Sequence, residues 1–146
     1  MTDYEVRRVD GDATLFHAHA VRRAVFIDEQ GVPEDIEMDD QDGEATHFVI
    51  YDAEAEHPVA TARLRDSDEE TAKAERVAVH ADYRGEGLGT RLMELLEEEA
   101  RSAGCSRVEL HGQTTVEKFY QDLGYRTVSD EFEEAGIPHV EMVKEL

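Results

Sequence analysis

Arg84-Gly85-Glu86-Gly87-Leu88-Gly89-Thr90 is the segment whose residue types and spacing could do chemistry. Glycines at 85, 87 and 89 remove side chains at the start of what reads as a helix. Several backbone N–H groups can then point at one anion. The helix dipole adds about half a positive charge there, Arg84 supplies a formal cation, and the Thr90 hydroxyl is a further donor. The chemistry is that of a phosphate cradle. A P-loop needs Gly-Lys-Ser/Thr after its glycines, and no lysine lies between Lys73 and Lys118. The dinucleotide pattern G-x-G-x-x-G fails on its last spacing. A glycine-rich turn that merely begins a helix is the competing reading. The unbroken succession of strand, Arg-x-x-Gly-x-Gly and long helix disfavours it.

The elements that must position this cradle follow from hydrophobic periodicity. Residues 4–9 alternate as a strand, and apolar residues Phe16, Ala20, Ala24 and Ile27 recur at helical spacing after a capping Asp12. Gly31 and Pro33 end that helix, and the acidic stretch 34–44 reads as a loop or short surface helix. Runs at 46–51, 58–65 and 73–80 form an antiparallel meander. Leu88, Leu92, Leu95, Leu96 and Ala100 then line one face of a helix over 88–103, with Gly104 at its end. A strand at 107–111 is followed by a helix at 114–123 that opens on the capping box Thr114-x-x-Glu117. Strands near 125–129 and 139–144 complete the order β-α-βββ-α-β-α-ββ. The fold class is α+β: a mixed, mostly antiparallel sheet flanked by helices, with residues 1–146 forming one domain.

Composition narrows the function. The chain has 146 residues and 40% hydrophobic content, enough for one core. Its net charge of −21 argues against nucleic acid as a partner. No apolar run approaches the ~20 residues of a membrane span, and the amino terminus lacks a signal-peptide pattern, so a cytoplasmic location is expected. The lone Cys105 excludes an intramolecular disulfide and reads as a buried small residue; no metal site is expected. Acidic residues number 36 and basic ones 15, of which three are lysine (Lys73, Lys118, Lys144). This halophilic-type surface suits concentrated salt, where the Debye length falls to about 3 Å at 1 M. A urea midpoint that rises from low salt to molar KCl is the expected signature; a flat one would count against salt adaptation.

At this point the sequence resembles the GCN5-related N-acetyltransferases. Arg84-x-x-Gly87-x-Gly89 is similar to their acetyl-CoA pyrophosphate motif, with the strand Val77-Ala78-Val79 and Tyr83 before it. Glu117-Lys118-Phe119-Tyr120-Gln121-Asp122-Leu123-Gly124-Tyr125 is similar to the family's Phe-Tyr-x-x-x-Gly-Phe/Tyr segment. Val25–Pro33, with Asp39, Asp42 and His47, resembles the small branch that includes the ElaA and YjcF proteins. The resemblance implies an acetyl-CoA-dependent N-acetyltransferase acting directly on a primary amine of a small molecule or protein. It implies that Val77, Ala78, Val79, Arg84, Gly85, Gly87, Leu88, Gly89, Thr90 and Phe119 hold acetyl-CoA. The pantetheine arm would lie along 73–80 like an added strand, with an N–H near Val79 facing the thioester oxygen. Gln113 departs from the family's Asn near that strand end, so no coenzyme contact is assigned to it.

Tyr120 is the candidate acid for the leaving thiolate, because a phenol with an ordinary pKa near 10 keeps its proton at neutral pH. Glu75 and His139 are the candidate bases for the incoming ammonium: histidines titrate near neutrality, and Gly136-Ile-Pro-His139 resembles a recurring piece of that small branch. His47 and His111 read as structural. The acceptor site is expected to draw on Arg22, Arg23, Glu29, Gln30 and Arg76. A non-catalytic acyl-CoA-binding or regulatory module is the alternative, and the sequence leaves monomer and homodimer open.

Overall fold

The computed structural model describes residues 3–146; Met1 and Thr2 of the expected domain lie outside them. The chain runs β1 (Tyr4–Arg8), α1 (Asp12–Arg22), a π-helical turn (Arg23–Glu29) and α2 (Glu34–Glu37). Next come β2 (Thr46–Asp52), β3 (His57–Asp66), β4 (Thr71–Val79) and α3 (Leu88–Ser102). The last elements are β5 (Arg107–Gln113), α4 (Glu117–Asp122), β6 (Arg126–Thr127), β7 (Phe132–Glu134) and β8 (Ile137–Glu145). The expected α+β order holds, with three strands rather than two at the carboxyl end. The extra strand comes from a two-residue hairpin at Ala135-Gly136, whose φ values of 54° and 76° fit the turn that matches strand twist.

The sheet order is β1-β2-β3-β4-β5-β8-β6, with β7 paired to β8. All pairings are antiparallel except β4 with β5. That parallel ladder joins only Thr71–Ala74 to Arg107–Leu110. Beyond it β5 stays with β8 as far as Gln113 opposite His139, while β4 stays with β3. Where they part, β4 inserts one extra residue against β3, and Arg76 there takes φ 55°. Such a bulge bends and twists a strand. The outcome is a wedge in the sheet, in which residues 75–79 have no strand partner on the β5 side.

Alternation along β4 divides two cores. Val77 and Val79 pack with the α3 core, in which Leu88, Leu92, Met93, Leu96 and Ala100 are buried. Ala78 points to the other side, against Val21 and Val25. Each buried Leu of α3 contributes roughly 1.5–3 kcal/mol. The amphipathic face of α3 is thus what anchors the cradle at its start. Glu97, on the same helix, is buried, accepting from the Tyr125 hydroxyl at 2.9 Å and from Lys144 Nζ at 2.9 Å.

Three local expectations are corrected. Phe16 is 70% exposed, and α1 buries Ala18, Val21 and Arg22 instead. Those positions continue to Val25 at equally good helical spacing, so periodicity alone did not decide the face. Gly11, not Asp12, holds the N-cap position of α1, with no side-chain cap. The Thr114-Glu117 capping box does not form: Thr114–Val116 is a 3₁₀ turn, and Glu117 accepts from the Thr127 hydroxyl instead.

Candidate active site

A cavity of about 930 Å³ fills the wedge and runs the length of β4. At one end Gly85, Gly87, Leu88, Gly89 and Thr90 line it, at the other Lys73, Glu75, Arg76 and Asp39. Gly85 and Gly87 both adopt φ +82°, which a side chain would strain, and no atom stands where their Cβ atoms would be. Gly87 is the N-cap of α3. Open space over a helix N-terminus in which glycines turn the backbone is what a diphosphate requires. Gly89 has a different role: a Cβ there would meet the Phe119 ring at 3.1 Å, so this glycine lets α4 approach. Val77, Ala78, Val79, Phe119 and Tyr83 also line the cavity. The Tyr83 hydroxyl donates to Asp52 at 2.6 Å, and that bond pushes its pKa up to about 12.

Arg84 is not free to receive a phosphate. It donates through Nη1 and Nη2 to the two oxygens of Glu29, both at 2.7 Å, and through Nε to the Val79 carbonyl at 3.0 Å. The hydrogen bond from Arg84 holds the Glu29 carboxyl below its ordinary value. Next to Glu29, Gln30 accepts from Gln113 Nε2 at 2.9 Å. Consecutive residues at the end of the π-helical turn therefore tie the loop after β4 and the end of β5. Glu29, expected at the acceptor, sits at the phosphate end. An exposed pair of this kind is worth at most about 1 kcal/mol. Glu29→Gln is expected to tighten acetyl-CoA binding by about two- to fivefold, measured by calorimetry. Weaker binding would mean that the carboxylate organises Arg84 rather than competing for it.

Tyr120 lines the middle of the cavity at 8% exposure. Burial alone pushes its pKa up to about 12, and no group among the described residues hydrogen-bonds its hydroxyl. His139 lines the cavity beyond it. Its Nδ1 lies 2.7 Å from the Ile137 carbonyl, which fixes the proton on Nδ1 and leaves the Nε2 lone pair free. Nε2 is 3.7 Å from Glu134, whose other oxygen is 3.0 Å from Nδ1 of His111. Phe132 stacks on His139 and meets His111 edge-on. Glu134 escaped the sequence reading because only the β7–β8 hairpin brings it between two histidines. Its hydrogen bond with His111 holds its carboxyl below the ordinary range.

Glu75 is a weak base here. Burial pushes its carboxyl up, but Arg65, Arg63 and Lys73 outweigh that and bring it down to about 2. It belongs to a network that the acidic stretch was not expected to form. Arg63 is fully buried and donates to Asp39 at 2.7 and 2.9 Å, to Asp42 at 2.9 Å and to Glu75 at 3.0 Å. Arg22, also fully buried, donates to Glu37 and Asp42, each at 2.7 Å. This corrects its expected acceptor role, since Arg22 does not line the cavity. Arg23 does not either: it pairs with Glu34 on the surface. His47 is buried, 3.0 Å from the Asp42 carbonyl, and burial lowers its pKa. Arg76, Gln30 and Glu29 do line the cavity, and Cys105 is buried as expected.

Comparison with known proteins gives the family. Residues 11–146 match the family model described as "Acetyltransferase (GNAT) domain", and the chain belongs to that family. It is an N-acetyltransferase that uses acetyl-CoA. YjcF of Bacillus subtilis, named an uncharacterized N-acetyltransferase, is 41% identical over 132 residues, covering 90% of this chain and 92% of that protein. The crystal structure of Escherichia coli ElaA superposes with TM-score 0.83 at 29% identity, covering 99% of this chain and all of that one. An acyl-CoA N-acyltransferase from Pseudomonas aeruginosa gives TM-score 0.83 at 27% identity, with 99% of each chain covered. Among the described residues no helix is long and apolar enough to cross a membrane.

Proposed function

We propose that this enzyme moves the acetyl group directly from acetyl-CoA to a primary amine that enters the cavity at the end away from the phosphate cradle. The carrying observation is the continuity of one cavity from Gly85–Thr90, past Tyr120, to His139. The backbone amides of 84–90 grip the diphosphate, and the unpartnered edge of β4 receives the pantetheine arm as an added strand. Acetyl-CoA supplies an activated thioester; the chain supplies position and proton traffic. The Val79 N–H faces the carbonyl oxygen as charge develops there, a contact typically worth about 3–4 kcal/mol. His139 Nε2, 3.7 Å from the Glu134 carboxylate, takes the proton that the ammonium must lose. Tyr120 donates to the sulfur as the C–S bond breaks. The single domain is read as spanning residues 1–146.

Thiol release from acetyl-CoA across a panel of small amines tests the proposal, with His139→Gln alongside the wild type. The expected result is turnover with some amines, and in the variant a kcat lower by roughly a hundredfold at unchanged acetyl-CoA affinity. Binding of acetyl-CoA with no thiol release for any amine would overturn the proposed small-amine acceptor. Full activity in the variant would remove His139 from the mechanism.

A further inference from the structure

The acceptor end of the cavity has an uneven supply of charge. Each carboxylate lining it is already engaged. Glu37 is 1% exposed and held by Arg22 and Arg76, and Asp39 is gripped by both Nη atoms of Arg63. Glu75 carries Arg63, Arg65 and Lys73, and Glu134 meets His111. The cations are less fully used. Arg76 reaches Glu37 through Nε at 2.7 Å, and Asp39 and two main-chain carbonyls through Nη2 at 3.2–3.4 Å. Its Nη1 has no acceptor among the described residues. Lys73 Nζ has Glu75 at 3.6 Å, too far for a hydrogen bond. Both side chains are 23% exposed and line the cavity.

Counted as a unit, Arg22, Arg63, Arg65, Lys73 and Arg76 face Glu37, Asp39, Asp42 and Glu75. With Glu134, which also feels Lys73, that is five cations to five carboxylates, in a chain whose net charge is −21. This local balance runs against the acidic composition and lies where an acceptor must bind. The long-range field opposes an anion, but it is screened within ~8 Å at physiological ionic strength. Contact partners therefore decide.

We infer that the acceptor is a small amine that also carries a carboxylate, as a free amino acid does. Its carboxylate is held by Arg76 with Lys73 beside it, and its amine is turned toward His139. The guanidinium offers its unpaired Nη1 edge as a charge-assisted donor to a planar anion. Phe26, Val32 and Ile36 provide an apolar wall for the rest of the molecule. This substrate class rests on the acetyltransferase chemistry proposed above.

The test compares matched pairs, each an amino acid and its carboxamide, as acceptors in thiol release by the wild-type enzyme. The expected kcat/KM favours the acids by about tenfold or more. Arg76→Gln is expected to abolish that preference, chiefly by raising KM for the acids; Arg76→Lys recovers part of it. Carboxamides used as well as the acids, or an undiminished preference in Arg76→Gln, would overturn the inference. If acetyl-CoA binds but neither partner releases thiol, the acetyl-transfer proposal fails separately. Calorimetric titration of the same amino acids into wild type and Arg76→Gln then decides. Binding lost in the variant supports a carboxylate site, and absence of binding to wild type overturns it.

Discussion

Tyr120→Phe is expected to lower kcat by about a hundredfold or more while changing the acetyl-CoA dissociation constant by less than about twofold. The substitution isolates the hydroxyl because the ring is fixed by packing. It meets Phe119 edge-on at 5.0 Å and Tyr125 at 6.0 Å, and a Cβ at Gly112 would stand 3.2 Å from it. Phe keeps all of these contacts. No group among the described residues depends on the hydroxyl, so its removal leaves no buried polar atom stranded, and the melting temperature should not fall. With its pKa pushed up to about 12 by burial, the phenol holds its proton across the working range. Tyr120 therefore imposes no alkaline loss of activity below about pH 11. The same dry surroundings disfavour a bare thiolate, which makes donation to the sulfur matter most as the C–S bond opens. Single-turnover acetyl transfer separates this step from product release. Unchanged turnover would take Tyr120 out of the chemistry and leave it a packing residue.

Legibility in the sequence followed the range of the interaction concerned. The cradle was readable because glycine positions, an arginine and a helix start lie within seven residues, and each has a local meaning. Strand boundaries in the meander were readable from alternation. The acidic stretch was not. Asp39 and Asp42 look like solvated charges until β3 brings Arg63 beside them from 21–24 residues away. A signal was present: Arg63 stands inside the apolar run of β3, and a cation at a buried strand position needs partners. Arg22, on the buried face of α1, carried the same signal. The opposite error arose at Thr114 and Glu117, where correct capping-box spacing was overridden by a nearer partner, Thr127 on β6. Glu29 was misplaced for a related reason. The π-helical turn advances fewer degrees per residue than the assumed α-helix, and it swings Glu29 onto Arg84.

Arg63→Met is expected to destabilise the protein by ~3–5 kcal/mol, the range for breaking a buried ion pair from one side. Arg63 touches three carboxylates from a position with no solvent exposure, and its loss leaves their mutual repulsion less neutralised. A Tm lower by roughly 10 °C or more follows for a chain of this size. Arg63→Lys keeps the charge but cannot fork between two carboxylates, and its loss should be intermediate. The same network sets the response to acid. Burial pushes the Asp39 carboxyl up, but Arg63 and the Gln41 N–H outweigh this and bring it down to about 2, as for Glu75. Asp42 is lowered further, with Arg22 and Arg63 outweighing its burial. Carboxyls depressed on folding stabilise fully above their unfolded values near 4, and that contribution is lost as pH falls from about 4 toward 2. Wild-type stability should therefore drop steeply across that window, with proton uptake on unfolding. In Arg63→Met the drop should be shallower and end at higher pH, because the carboxyls have lost their strongest cation. Denaturant melts of both proteins between pH 2 and pH 7 measure this. Parallel acid profiles would mean that Arg63 does not hold these carboxyls down, and a change in neutral stability below about 1 kcal/mol would mean that the network supports the acceptor end only weakly.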